Sequence, residues 1–167
     1  MNDPRLVQLL AACGMAESEL ESLLTSSEDA SPRYRALQNP KAADELACAL
    51  AVEAARSTPN RVLIWAGVDD TLLAFVVARE LECEVSVVWQ SEGLLCCDPE
   101  IAVGDRVLIV SACFIETSRL EALRSLVALR GAAVAAVASL IETEVLRDGA
   151  GGEAQPLSLF RPRPDAR

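Results

Sequence analysis

Three almost uninterrupted apolar runs constrain this chain more than any other feature: "RVLIWAG" from Arg61, "RVLIV" from Arg106 and "AAVAAVASLI" from Ala132. A strand that is apolar at every position, not at every second one, has both faces covered. Strands of that kind, interleaved with helices, belong to a parallel sheet sandwiched between helical layers. The intervening segments fit. "DDTLLAFVVAREL" is helical, and "CEVSVVW" is rich in β-branched residues and follows as a strand, which completes one βαβ unit. "QSEGLLCCDPEIAVGD" is predicted to be a two-stranded excursion with turns at Glu92-Gly93 and Val103-Gly104. After "RVLIV", Ser118 and Glu121 have capping-box spacing before the helix "RLEALRSLVALR", which Gly131 closes. "PLSLF" is a short edge strand after a flexible "DGAGGEA". The predicted fold class is α/β: a Rossmann-like parallel sheet flanked by helices, with a small N-terminal helical or hairpin element.

The N-terminal part is less regular. Asp3 caps a short docking helix with Pro4 at its first position, Leu6, Leu9 and Leu10 on its apolar face, and Gly14 as its stop. Residues 20–27 suit a helix or a strand. Asn39 then caps a helix that opens on Pro40, and "KAADELACALAVEAAR" gives it a Leu46/Leu50/Ala54 face before "STPN" stops it. The implied division is a docking helix and hairpin-like segment over 1–37, an α/β core over 38–160 and a flexible tail over 161–167. At 167 residues, 51% of them hydrophobic, the chain is long enough for one good-sized core.

Composition removes several function classes. With 25 acidic against 15 basic residues the net charge is −10, which opposes binding to nucleic acid. The longest apolar run, Ala132 to Ile141, is far shorter than the roughly 20 residues a membrane span needs, and "MNDPR" does not resemble a signal peptide. A cytoplasmic protein without membrane attachment is expected. The six cysteines show no C-x-x-C spacing and there is no histidine, so zinc sites and nucleophile-histidine pairs are not expected. Cys48 and Cys113 read as core residues, and the adjacent Cys96 and Cys97 as hairpin thiols that could be exposed.

Ligands of open α/β sheets bind beyond the carboxyl ends of the strands, which singles out loops 65–71 and 111–118. These loops sit in a frame that is familiar. The order of elements, the stretch "SSEDASPRYRALQNPKAADELACALA" and the strand-turn-helix "GDRVLIVSACFIETSRLEALRSLVALRGAAVAAVASLI" resemble type I phosphoribosyltransferases, in particular orotate phosphoribosyltransferase, over residues 6–141. The resemblance implies that loop 111–118 corresponds to the family's phosphoribosyl pyrophosphate loop. Its acidic pair falls at Ser111 and Ala112, and its phosphate turn at Ile115, Glu116, Thr117, Ser118 and Arg119. It implies equally that Ala66, Gly67, Val68, Asp69 and Asp70 correspond to the pyrophosphate loop, with the two aspartates at the family's glycine pair.

The departures share one sign. Neither carboxylate of the acidic pair is present, the phosphate turn lacks glycine, and Glu116 puts negative charge where an anion should sit. At about 4 Å and an effective dielectric near 20, one like-charge contact of an aspartate with a phosphate costs on the order of 4 kcal/mol. Asp69 and Asp70 also have a structural role open to them, as acidic residues that cap a helix and suit its dipole. Between Arg79 and Arg106 there is no basic residue to neutralise a leaving group. Thr117, Ser118 and the helix N-terminus retain capacity for one weak anion.

Three functions follow as expectations. The first is a non-catalytic partner or regulatory subunit without a cofactor, forming a homodimer or a heterodimer with a related phosphoribosyltransferase. The second is an active phosphoribosyltransferase of pyrimidine nucleotide synthesis, in which Asp69, Asp70 and Glu116 hold magnesium. The third is a binder of a neutral or cationic small ligand in the old cleft. Cys113, Phe114 and Ile115 either pack inward or form an exposed contact patch.

Overall fold

The computed structural model describes residue 37, residues 40–149 and residues 154–161; the expectations for residues 1–36, the Asn39 cap and the 162–167 tail lie outside the described residues. Helix α1 (Pro40–Ala54) carries the expected face, with Leu46, Leu50 and Ala54 buried. It tightens into a 3-10 turn (Ala55–Ser57) that ends at Thr58 in the left-handed region, φ 47°. Then come β1 (Arg61–Trp65), α2 (Val68–Leu81), β2 (Glu84–Ser91), β3 (Leu94–Asp98), β4 (Arg106–Ser111), α3 (Thr117–Leu129), β5 (Ala133–Ile141), α4 (Glu144–Gly149) and β6 (Gln155–Phe160).

The six strands form one sheet in the order β3-β2-β1-β4-β5-β6. Every neighbouring pair is parallel except β2 and β3. The apolar runs are explained by two cores. Val62 and Ile64 of β1, with Leu108 and Val110 of β4, face α1 and α2, whereas Leu63, Val107 and Ile109 face α3 and α4. A continuous apolar strand is therefore split residue by residue between two layers. The excursion after β2 is a hairpin: Ser91 pairs with Leu94, and Glu92 and Gly93 both have positive φ, 51° and 81°, as a two-residue turn of matching twist requires.

The amino ends of the central strands are locked by a buried ion pair that local sequence patterns do not announce. Arg61 donates from Nε to Asp105 Oδ2 at 2.5 Å, from Nη1 to Ser86 Oγ at 3.0 Å and from Nη2 to Glu84 Oε2 at 3.0 Å. Asp105 also accepts the Ala102 N–H at 2.9 Å and Asn60 Nδ2 at 3.3 Å. Burial by itself would raise the Asp105 carboxyl; the hydrogen bonds from Arg61 and Ala102 outweigh it and hold the group below its ordinary value.

Several local expectations are corrected. Helix α3 begins at Thr117, with Glu116 extended in the cap position and its carbonyl accepting the Leu120 N–H, so Ser118 and Glu121 lie inside the helix and form no capping box. Asp148 and Gly149 end α4 instead of opening a flexible stretch. That helix is one and a half turns long, too short to show periodicity, and it is started by Thr143, whose Oγ accepts the Leu146 N–H at 3.1 Å. Cys48 is half-buried beside Asp44 and Arg79, not in the core, and Cys96 and Cys97 are also half-buried. Among the described residues no helix is long and apolar enough to cross a membrane.

Candidate functional site

The strand order reverses between β1 and β4, because β1 leads outward to β2 while β4 leads to β5 and β6 on the other side. The crevice beyond the carboxyl ends of these two strands is the topological switch point, where open α/β sheets bind their ligands. Both sequence-predicted loops meet there, one after Trp65 and one after Ser111.

The first loop is short. Ala66 donates its N–H to Val88 O at 2.7 Å, Gly67 is extended in the cap position of α2, and Thr71 returns both its N–H (2.9 Å) and its hydroxyl (2.6 Å) to the Gly67 carbonyl. Val68, Asp69 and Asp70 form the first helical turn, so the two aspartates suit the helix dipole but are not its cap. A side chain at Gly67 would meet only ordinary contacts, 3.7 Å to Asp70 Oδ2 and 3.9 Å to Trp65 O, so this backbone does not need glycine for close approach.

Asp70 crosses the crevice. Its Oδ1 accepts the Ala112 N–H at 2.7 Å and the Ser111 hydroxyl at 3.1 Å, joining the start of α2 to the end of β4. Burial pushes its carboxyl above the ordinary value; the Ala112 N–H and the Ser111 hydroxyl oppose that push, neighbouring Asp69 adds to it and Arg119 relieves it slightly. A carboxylate from the first loop thus sits against the two positions, Ser111 and Ala112, where the family resemblance places an acidic pair.

The second loop is held from three sides. Besides Asp70, the Ser111 hydroxyl accepts the Cys113 N–H at 3.3 Å and reaches the Cys113 carbonyl at 3.0 Å, and Thr143 donates its hydroxyl to Phe114 O at 2.7 Å. Phe114 is buried in the core under α3, and Cys113 packs against the core under α1 and α2. Ile115 is the exception, 59% exposed. The apolar turn is therefore largely a structural plug. Over it, Glu116 Oε1 pairs with Arg119 Nη2 at 3.0 Å, and the Arg119 guanidinium lies 5.5 Å from the centre of the Trp65 ring. Thr117 and Ser118 are exposed in the first turn of α3.

Asp69, Asp70 and Glu116 do not gather into a metal-holding group; among the described residues no three Cys, Asp or Glu side chains do. Asp70 is committed to β4 and Glu116 to Arg119. Sequence reasoning missed Trp65 as the floor of this end and Thr143 as a support of the loop. For Trp65 a signal exists, an aromatic residue at the last position of a strand that enters the switch point.

No protein-family model matches the sequence, and no curated protein matches it. Solved structures do. Adenine phosphoribosyltransferase from Thermoanaerobacter pseudethanolicus is similar over 76% of this chain and 84% of its own, with TM-score 0.63 and 19% identity. Adenine phosphoribosyltransferase from Leishmania donovani covers 81% of this chain and 72% of its own, with TM-score 0.64 and 14% identity. Orotate phosphoribosyltransferase from Mycobacterium tuberculosis covers 76% and 77%, with TM-score 0.62 and 17% identity. Likeness at such identities speaks for architecture, and this chain has the α/β fold of the phosphoribosyltransferases.

Proposed function

We propose that this chain is a phosphoribosyltransferase-like protein, related most nearly to the orotate enzymes, that does not transfer phosphoribosyl groups and serves as a partner or regulatory subunit in nucleotide metabolism. One observation carries the reading: the Asp70 carboxylate is seated at the switch point on the Ala112 N–H and the Ser111 hydroxyl. A pyrophosphate approaching the first loop would meet this carboxylate, with Asp69 beside it, where the resemblance expects a glycine pair. Arg119, the one basic residue of the two loops, is already shared between Glu116 and Trp65. The basic residues expected over a leaving group are missing from the segment that forms β2 and β3.

Calorimetric titration of the full chain with phosphoribosyl pyrophosphate and magnesium tests this directly. No heat of binding is expected, and no nucleotide from orotate or adenine. Micromolar binding, or turnover that Glu116→Gln alters, overturns the reading.

The stack of Arg119 on Trp65 beside Glu116 favours one second reading, a cleft for a cationic ligand that takes the guanidinium's place. Quenching of Trp65 fluorescence by a guanidinium or quaternary ammonium compound, in a Trp89→Phe background, separates it from the first.

A further inference from the structure

The sheet ends in two unlike edges. β6 carries Pro156, which offers no N–H to a further strand. β3, at the other edge, has no proline or lysine, and its one charge, Asp98, is its last residue. Leu94 and Leu95 are 71% and 42% exposed on it. An apolar edge without such guards is a template for another strand. Which of its backbone groups are unpaired follows from the register. The Val88 carbonyl turns toward β1, where it accepts the Ala66 N–H, so Val88 is not bonded to Cys97 opposite it. Bonded and unbonded pairs alternate along an antiparallel ladder. Ser91–Leu94, Trp89–Cys96 and Val87–Asp98 are therefore the bonded pairs, and Leu95 and Cys97 aim their N–H and C=O groups away from the sheet. Among the described residues no strand lies beyond β3, and no other backbone group bonds to Leu95 or Cys97.

We propose that β3 is a docking edge for β3 of a second copy of the chain, the two strands antiparallel about a two-fold axis at Cys96. In that register Leu95 faces Cys97 of the other copy, and the N–H of each meets the C=O of the other. No other antiparallel register satisfies every outward group within the strand. Moving the axis to Leu95 sets Cys97 against Gly93 of the turn, and moving it to Cys97 sets Leu95 against Pro99, which has no N–H. The side chains agree. Cys96 shares a face with Trp89, so an apolar row of Trp89, Cys96 and their two copies crosses the junction. Asp98 faces Leu94 of the other copy, so no two carboxylates of the strands stand opposite one another. The contact is small, below the roughly 1,200 Å² of a standard interface, and each copy carries a net charge of −10. The pairing is therefore reversible and strengthens with salt. This inference does not depend on whether the switch point binds phosphate.

Amide exchange of the full chain, followed residue by residue by NMR at micromolar and at millimolar concentration, is the test. The Leu95 and Cys97 amides should exchange several-fold more slowly at the higher concentration, while Cys96, already bonded to β2, should not change. Oxidation by a small-molecule disulfide should trap the pair as a Cys96–Cys96 link, because facing Cα atoms of an unbonded antiparallel pair are about 4.5 Å apart, within disulfide reach. Cys96→Ser should abolish that link and Cys97→Ser should leave it. Leu95→Pro removes an outward donor from each copy and no bond to β2. It should weaken the pairing roughly thirtyfold, the loss of two hydrogen bonds of ordinary net strength, with unchanged circular dichroism. Cys96→Glu leaves the backbone donors in place but sets two carboxylates face to face, and it should weaken the pairing as well. Fast exchange of Leu95 and Cys97 at every concentration overturns the proposal. So does slow exchange at every dilution without a Cys96 link, which would mean that the chain covers its own edge, and so does a link that forms equally well in Leu95→Pro.

Discussion

Asp105 and Asp70 stand at opposite ends of the same two central strands and are built in opposite ways. Asp105, at the amino end, meets a buried guanidinium, a backbone N–H and an amide, and its carboxyl is held below its ordinary value. Asp70, at the carboxyl end, meets only neutral donors directly, Ala112 N–H and the Ser111 hydroxyl, and burial lifts its carboxyl above its ordinary value. Both carboxylates tie a loop to β4. Only one has its charge neutralised by a direct partner. In an α/β sheet the amino ends of the strands can be optimised for stability alone, while the carboxyl ends are where a ligand is accommodated. Asp70 is thus a buried carboxylate at the ligand-facing end whose direct partners carry no positive charge.

The largest expected effect comes from breaking the compensated end. Asp105→Ala leaves Arg61 buried without its closest partner, and truncating one member of such a pair costs about 3–5 kcal/mol. Chemical denaturation at neutral pH measures it. A loss below about 1 kcal/mol would mean that Glu84 and Ser86 suffice for Arg61 and that the two ends differ less than their geometry indicates. The pH dependence has a definite sign. A carboxyl whose folded value lies below its unfolded one stabilises the protein above the unfolded value, 3.8 for Asp105, and that stability is lost as pH falls through the folded value.

Asp70 should behave inversely. With its folded value raised, its contribution is fully present below 3.8 and is lost as pH rises through the folded value, so at neutral pH the charge costs stability. Asp70→Asn keeps an oxygen to accept the Ala112 N–H and removes the buried charge. It should raise stability by about 1 kcal/mol at pH 7. The gain should close as the solution is acidified toward pH 3.8, a crossover that thermal melts of the two proteins would reveal. A variant less stable than wild type at neutral pH would show that the carboxylate charge strengthens its bonds to β4 more than burial penalises it.

The legible and illegible parts of this molecule divide along a physical line. Ile64 and Ile109 announce a sheet covered on both faces because a strand needs apolar residues on each covered face, and that requirement is local. Glu92-Gly93 announces a hairpin because two successive positive φ angles favour such residues. The contacts that define the two ends are not local. Arg61 and Asp105 are 44 positions apart, Asp70 and Ala112 42, and each pairing follows only once β1 and β4 are known to be neighbours. Ser118 and Glu121 misled because capping-box spacing also occurs inside helices, and here the extended backbone of Glu116 sets the start. The phosphoribosyltransferase frame was readable from the order of elements and the two quoted stretches; that Asp70 would bond across to Ala112 and Ser111 was not, because its carboxylate reads from the sequence as an ordinary acid at a helix start.

The smallest effect is the sharpest test of how the carboxyl end is built. Arg119 is about half exposed, paired with Glu116 and laid over Trp65, and exposed contacts of both kinds are worth no more than about 1 kcal/mol together. Arg119→Ala should therefore lower Tm by no more than about 2–4 °C, while changing the emission of Trp65 in a Trp89→Phe background. Both readouts are needed. A shifted emission with an almost unchanged Tm describes a cation resting on the crevice without holding it together. A loss as large as that of Asp105→Ala would make Arg119 a structural clamp matching Arg61 at the other end, and the contrast between the two ends of the sheet would then lie in one carboxylate alone.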